Sequence, residues 1–377
     1  MAIINGNNAA NALTGTAWAD LINAGGGNDQ VWAGAGNDTV NGGRGNDSIY
    51  GEAGNDHLYG SWGDDRIYGG WGNDSISGEA GNDRLYGGWG DDRIDGGEGH
   101  DRIEGGRGND DMAGREGRDT MLGGAGHDRM HGGGDDDRMW GGSGNDLMHG
   151  GRGNDYMEGG TGNDQMFGGT GNDDMKGGAG HDSMDGGTGN DRMFGGRGND
   201  DMRGGDGGDL LNGGRGDDLM KGEAGNDLLQ GGRGHDQLDG GTGKDTLYGG
   251  SGNDKLTGGA GADQLTGGRG ADTFFYGDVS ESLNASGAYD TITDFKVGTD
   301  KIDLSGIDAN VGALNDQAFT FVAYDPNRPL AAGEVTSHFD AATGKTIVEA
   351  NIDGLADSEF RIELQGNVTL GQNDFVL

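Results

Sequence analysis

An aspartate stands at position 20 and at every ninth residue from there to position 272, 29 occurrences with no insertion or deletion. Carboxylates spaced this evenly suit the binding of hard cations, which take six to eight oxygen ligands. The chain has no cysteine, so neither a thiolate site nor a disulfide framework is available, and the absence of soft ligands points to calcium. Two nine-residue units would make one coil of 18 residues, laying each Asp over the Asp two units away. One ion would then sit between Asp29 and Asp47, another between Asp38 and Asp56, and so on in two rows. The first row runs Asp29, Asp47, Asp65, Asp83, Asp101, Asp137, Asp155, Asp173, Asp191, Asp209, Asp227 and Asp263. The second runs Asp38, Asp56, Asp74, Asp92, Asp110, Asp128, Asp146, Asp164, Asp182, Asp200, Asp218, Asp236, Asp254 and Asp272. Asp20, Asp119 and Asp245 belong to the same series as weaker candidates. Asp is common in turns, but a turn role alone would accept Asn or Ser at many copies. Strict Asp favours ligation.

The surrounding residues say how these carboxylates are positioned. Two residues after each Asp comes an apolar residue, from Ile22, Val31, Val40, Ile49 and Leu58 to Leu265 and Phe274, and before most of them stands Gly-Gly-x-Gly-Asn. The unit reads G-G-x-G-N-D-x-U-x, with U apolar. The triplet x-U-x is too short for a helix and suits a short strand with one inward side chain. The glycine-rich hexapeptide before it reads as a turn whose glycines permit positive φ. Alternate units stack into two parallel sheets with the U side chains between them. At roughly 4.8 Å per coil, about 14 coils would make a rod roughly 65–70 Å long. The expected fold is all-β: a parallel β-roll, that is, a right-handed β-solenoid, with a β-sandwich-like C-terminal cap. One inward residue per strand gives a thin core, too little apolar burial to offset the backbone entropy of ordering nine residues. The acidic turns must supply the remaining stability.

This repeat resembles the repeats-in-toxin (RTX) calcium-binding nonapeptide family. The resemblance implies that Gly-x-Gly carbonyls complete each calcium shell. Composition agrees: 91 Gly, only 31% hydrophobic residues and a formal charge of −39 exclude an ordinary globular core. They leave a disordered acidic chain, a halophilic surface or a cation-binding protein. The 29 positions pair at most 27 times, and 27 divalent ions would carry the charge from −39 to +15. Folding is therefore expected to depend on metal, with a disordered apo chain and a stiff loaded one. Extracellular modules often bind calcium at about 10⁻⁴–10⁻³ M, which would leave the chain unfolded in cytosol and folded outside. Three positions weaken the pattern. Arg115 replaces a second Gly and Arg118 the Asn before Asp119; Lys244 precedes Asp245; and Ala17-Trp18-Ala19, before Asp20, has no glycine. Glu52, Ser61, Glu79 and Glu223 also replace a second Gly.

Other stripes read mainly as structure. Every Met but Met1 sits at a U position between Met112 and Met220, which makes a flexible core rather than a copper ladder. Trp32, Tyr50, Tyr68 and Tyr86 fall in register on the outer face of one sheet beside Arg66, Arg84 and Arg102. Cross-strand stacking accounts for them, with a sugar- or protein-binding surface as the alternative. His100, His127, His181 and His235 each replace the Asn before an Asp and read as tolerated variation. The outward Thr161, Thr170, Thr188 and Thr242 form too broken a row for ice binding.

From about residue 273 the composition changes: both prolines, Pro326 and Pro329, lie there, and runs such as Phe319-Thr-Phe-Val and Phe360-Arg-Ile-Glu-Leu read as strands. The stretches Ala271-Asp-Thr-Phe, Asp294-Phe, Gly298-Thr-Asp-Lys-Ile-Asp-Leu-Ser, Gln317-Ala-Phe-Thr-Phe and the ending Asp374-Phe-Val-Leu resemble the C-terminal region of serralysin-type secreted metalloproteases. That resemblance implies an uncleaved signal for a type I secretion apparatus, hence export from a Gram-negative bacterium, and the Met-Ala-Ile-Ile-Asn-Gly start shows no cleavable signal. No H-E-x-x-H occurs, so no protease, and no catalytic residue is assigned. The expected organisation is a solenoid start at 1–19, the calcium roll at 20–272 and a capping and secretion domain at 273–377. The expected function is that of a non-enzymatic secreted or cell-surface calcium-binding protein with a structural or adhesive role. Its expected partners are calcium, itself, or an extracellular polysaccharide, with no nucleic acid and no transmembrane segment.

Overall fold

Most nine-residue units fold into one six-residue strand and one tight turn. The structure, a computed structural model, describes residues 1–284, 287–309, 317–355 and 358–377. It contains two compact units, Met1–Thr188 and Gly189–Leu377. Among the described residues there is no α-helix, only two single 3₁₀ turns, and no helix long and apolar enough to cross a membrane. The fold is an all-β parallel β-solenoid.

In the first unit, strand Arg66–Trp71 pairs in parallel with Arg84–Trp89, setting Ile67 beside Leu85, Tyr68 beside Tyr86 and Trp71 beside Trp89. The register of 18 residues holds from the strand Ile3–Asn7, which pairs with Leu21–Gly26. Two residues per strand face inward: the U side chain and the first glycine, the pattern of alternation in Arg66–Trp71. The U side chains Ile22, Val31, Ile49 and Met157 are fully buried, as are the other methionines of the series. The strand is three residues longer than the x-U-x triplet that the sequence predicts. Gly-Gly-x also pairs with its counterpart one coil on, as Gly70 does with Gly88. The turn is left with only Gly-Asn-Asp.

The second unit repeats the coil, Arg192–Arg197 pairing with Leu210–Arg215. Its two sheets both continue past the repeats. One adds Thr273–Phe275, Lys301–Asp303 and Phe375–Val376 in parallel. The other adds Asp290–Ile292, then Phe360–Gln365, and turns antiparallel through Lys345–Asn351 and Glu334–Asp340. The ending Asp374-Phe-Val-Leu is part of this cap: Asp374 accepts hydrogen bonds from Gly298 N at 2.7 Å and Gly371 N at 2.8 Å, and Phe375 is buried.

The second and fourth positions of the unit need positive φ, as at Gly70 (+114°) and Gly72 (+120°). Glu52, Ser61, Glu79, Arg115 and Glu223 occupy the second position with φ from 72° to 87°, and Asp135 the fourth with φ 71°. A non-glycine residue in this region costs about 1 kcal/mol or more. Glu79→Gly should therefore raise the thermal midpoint by a few degrees. Gly70→Ala should lower it, because the added Cβ would stand 2.2 Å from the Glu52 carbonyl oxygen.

Candidate metal centre

The 29 repeat aspartates are all buried, none more than 3% exposed. From Asp38 to Asp182 and from Asp209 to Asp272 each is held by the same contact: its Oδ1 accepts the backbone N–H of the Asp one coil earlier. Asp47 accepts from Asp29 at 2.7 Å, Asp65 from Asp47 at 2.7 Å, and Asp218 from Asp200 at 2.9 Å. Asp119 and Asp245, flanked by Arg118 and Lys244, donate in the same way to Asp137 and Asp263, both at 2.8 Å. Arg115 turns outward to pair with Asp95 at 2.7 Å.

The second oxygen, Oδ2, is left buried without a hydrogen bond from Asp29 to Asp164 and from Asp209 to Asp272. It lies over the first glycine of its own unit. A Cβ built on Gly42 would stand 2.5 Å from Asp47 Oδ2 and 2.9 Å from the carbonyl oxygen of Gly60; on Gly141 it would stand 2.3 Å from Asp146 Oδ2 and 2.7 Å from Gly159 O. The inward glycine is thus required by the carboxylate above it, and a carbonyl oxygen from the next coil lies beside the same spot. The turn carbonyls of the third position accept backbone hydrogen bonds, Trp62 O from Gly45 N at 2.8 Å for example. The carbonyls of Gly45 and Gly63 accept none from backbone. Among the described residues no three His, Cys, Asp or Glu side chains converge on one point. A cation here would draw on one or two carboxylates and on backbone carbonyls. That all-oxygen donor set fits a hard ion such as calcium.

Asp20 differs. Its Oδ1 accepts from Ala2 N at 2.6 Å, and its Oδ2 from Thr16 N at 2.7 Å and Thr16 Oγ1 at 2.8 Å. These donors, Ala2 first, hold its carboxyl below the ordinary range. Both of its oxygens are already satisfied by the protein.

Two features escape the sequence pattern. Asp290 and Asp300 continue the two rows, accepting from Asp263 N at 2.9 Å and Asp272 N at 3.1 Å. They lie 27 and 28 residues on instead of 18, so the period does not find them. The Asn before each Asp also forms a ladder of its own. Asn28 Oδ1 accepts from Asn46 N at 3.0 Å and Asn145 Oδ1 from Asn163 N at 2.8 Å. His fits this place because Nδ1 offers the same acceptor: His100 takes Arg118 N at 2.8 Å, His127 takes Asn145 N at 2.7 Å and His235 takes Asn253 N at 2.8 Å. That ladder, not chance, explains those histidines. The outer aromatic column stacks as expected, with ring centroids 5.9, 5.0 and 4.7 Å apart from Trp32 through Tyr50 and Tyr68 to Tyr86.

Stacked coils carrying buried acidic turns over glycines define a β-roll of the cation-binding type. The chain belongs to the RTX calcium-binding nonapeptide repeat family, whose model matches in eleven placements from residues 5–40 to residues 239–274, together spanning residues 5–274. Two solved structures are similar to it. One is the solution structure of the AlgE6R3 subunit from the Azotobacter vinelandii mannuronan C5-epimerase, at 24% identity, covering 45% of this chain and 78% of that one with a TM-score of 0.29. The other is the AlgE6R2 subunit of the same enzyme, at 27% identity, covering 45% and 91% with a TM-score of 0.26. A comparison with curated proteins returns no match.

Burial raises these carboxyls above the usual 3.8, to about 6 for Asp47, about 7 for Asp56 and about 8 for Asp65 and Asp137. Without a cation, such groups hold protons more tightly in the roll than in the unfolded chain. Their contribution to stability is full below the ordinary carboxylate range and is lost as pH rises through about 6 to 8. In chelator, far-UV circular dichroism should therefore show β-structure growing as pH falls from 8 to 5; in excess calcium this dependence should vanish. In the outer ladder, His127→Ala should cost roughly 0.5–1 kcal/mol in thermal melts and His127→Asn nearly nothing.

Proposed function

We propose that this chain is a secreted, non-enzymatic calcium-binding protein whose roll folds outside the cell and serves a structural or adhesive role in the extracellular matrix or at the cell surface. The observation that carries this reading is the double row of buried Oδ2 atoms with no hydrogen-bond donor. Bare carboxylates at this depth oppose folding unless a cation neutralises them. Asp29 to Asp272 are the proposed ligands, up to 27 ions in two rows, with glycine-turn carbonyls filling each shell. Low cytosolic calcium would keep the chain unfolded for a type I exporter, for which the serralysin-like segment 273–377 is the proposed signal. A repeated surface favours multivalent contact, including self-assembly at millimolar calcium.

The test is a calcium titration followed by circular dichroism and sedimentation, with a parallel calorimetric run for stoichiometry. A cooperative gain of β-structure with many ions per chain is expected. Identical β-content and thermal midpoint in calcium and in chelator would overturn the proposal.

A second reading, binding of an acidic polysaccharide, is favoured by one face of the first unit. Trp71 and Trp89 stack with centroids 4.8 Å apart while 62% and 46% exposed, and the Arg107 guanidinium lies 4.2 Å over the Trp89 ring. Arg66 and Arg84 lie exposed in register on the same sheet. Glycan-array binding that is lost in Trp71→Ala/Trp89→Ala would support it; no binding to any acidic glycan would remove it.

A further inference from the structure

The chain has 13 methionines and no cysteine. Met1 is 85% exposed, whereas every other methionine, from Met112 to Met220, is at most 1% exposed. All the sulfur except that of Met1 is therefore shut inside the roll. In the unit Met1–Thr188 methionine takes every U position from Met112 to Met184, after a run of Ile, Val and Leu at the U positions before it. In the unit Gly189–Leu377 it takes Met193, Met202 and Met220. Register sets like beside like within the first unit. Met139 pairs with Met121 and Met157, and Met148 with Met130 and Met166. The core of these coils is a contiguous thioether column.

Unlike Ile, Val or Leu, methionine is an apolar side chain that a mild oxidant makes polar. A peroxide transfers one oxygen atom to the thioether. The sulfur lone pair attacks, the O–O bond breaks, an S–O bond forms, and the second oxygen leaves as water. Sulfur is oxidised by two electrons and the peroxide is reduced by two. In the folded roll the sulfur is out of reach; in an unfolded chain it is open. A sulfoxide made before folding has no place in the core. Its oxygen needs a hydrogen-bond donor, but the strand around Met157 is engaged in the parallel ladders to the strands of Met139 and Met175. The unpaired polar atoms buried in the turns, Asp155 Oδ2 and Asp164 Oδ2 for example, are bare carboxylate oxygens that accept and do not donate. Room is short as well. A Cβ on Gly159, the other inward position of the Met157 strand, would stand 2.3 Å from Asp164 Oδ2. Oxygens added on strands in register would repeat the misfit from coil to coil.

We propose that the buried methionines from Met112 to Met220 are a set of oxidative modification sites that calcium closes: a peroxide oxidises them in the calcium-free chain, and the sulfoxides then bar the chain from rolling up. The inference rests on the calcium reading of the repeats and adds a second input to it. Whichever arrives first decides the outcome. Calcium before oxidant gives a roll whose thioethers are protected, because a buried group reacts only through opening of the structure. Oxidant before calcium gives a chain that no longer folds on the ion. Trp62 and Trp71, exposed on the outer faces, lie outside this control. Reduction of the sulfoxides restores folding, since that oxidation step is reversible.

The test is an order-of-addition experiment on the full chain with hydrogen peroxide and calcium. Peptide mapping by mass spectrometry should show Met112 to Met220 oxidised in chelator and at least tenfold slower in excess calcium, with Met1 oxidised equally in both as the internal control. Equal rates at the buried methionines in the two media would overturn the proposal. After the peroxide is removed, calcium should restore less β-structure by circular dichroism to the chain oxidised in chelator, or should do so only at a several-fold higher concentration. An unchanged calcium curve would overturn it. Treatment with both methionine sulfoxide reductases should return the original curve; a curve that stays shifted after full reduction would place the damage on other side chains and overturn it too. A chain with Met112, Met121, Met130 and Met139 replaced by Leu gives a separate check. It should lose less calcium-dependent folding to peroxide than the wild type, and an equal loss would count against the column; if that variant does not fold, the reductase arm decides. Failure of the broader reading looks different, because the untreated wild-type chain would then gain no β-structure on calcium.

Discussion

The structure depends on a carboxylate held between two coils with one oxygen tied and the other bare. From Asp38 to Asp182 and from Asp209 to Asp272, Oδ1 of the repeat Asp receives a backbone N–H from the coil before, at 2.7 Å between Asp29 and Asp47. That bond fixes the side chain against the first glycine of its unit, where the would-be Cβ of Gly42 leaves Asp47 Oδ2 no more than 2.5 Å. The same contact that sets the stacking distance thus strands a charge out of water. Desolvation of this kind is costly and is relieved only by a proton or a cation. Fold and ion binding are one problem here, because the turn that makes the coil also makes the need for a counter-charge.

The rest of the coil is adjusted to that contact. A single U side chain per strand, Ile22 or Met157 for instance, fills the space between the sheets. The glycine beside it faces inward but adds no apolar bulk. The outer ladder of Asn and His side chains, each receiving the backbone N–H of the next coil, secures the exposed edge of the same turn. Inner Asp and outer Asn therefore grip consecutive residues of the stack in opposite directions: Asp reaches back one coil, and Asn receives from one coil ahead.

Much of this was legible in residue order because the repeat never loses phase. The Asp rows, the buried U positions and the outward column from Trp32 to Tyr86 all follow from counting. So do the exceptions at Glu52, Ser61, Glu79, Arg115 and Glu223, which the structure places at positive φ. What counting misses has physical reasons. Asp290 and Asp300 occupy row positions after longer connections, so spatial succession and sequence spacing part company. The acceptor role of His127 depends on a ring nitrogen standing where an amide oxygen stands elsewhere, an equivalence of atoms and not of residue types. Two of the three extra strand residues are glycines, whose propensity argues for a turn while parallel neighbours in register impose a ladder.

The pairing distance of two units bears on how such a chain can change its length. Within each unit of the structure, a strand bonds to strands 18 residues away, as Arg84–Trp89 does to Arg66–Trp71. Gaining or losing a whole coil would leave every downstream residue on its own face. Gaining or losing a single nonapeptide would keep the core and the acidic turns intact yet transfer all outward side chains beyond it to the opposite sheet. Evolution by half-coil steps would therefore preserve the solenoid while shuffling the two surfaces it displays.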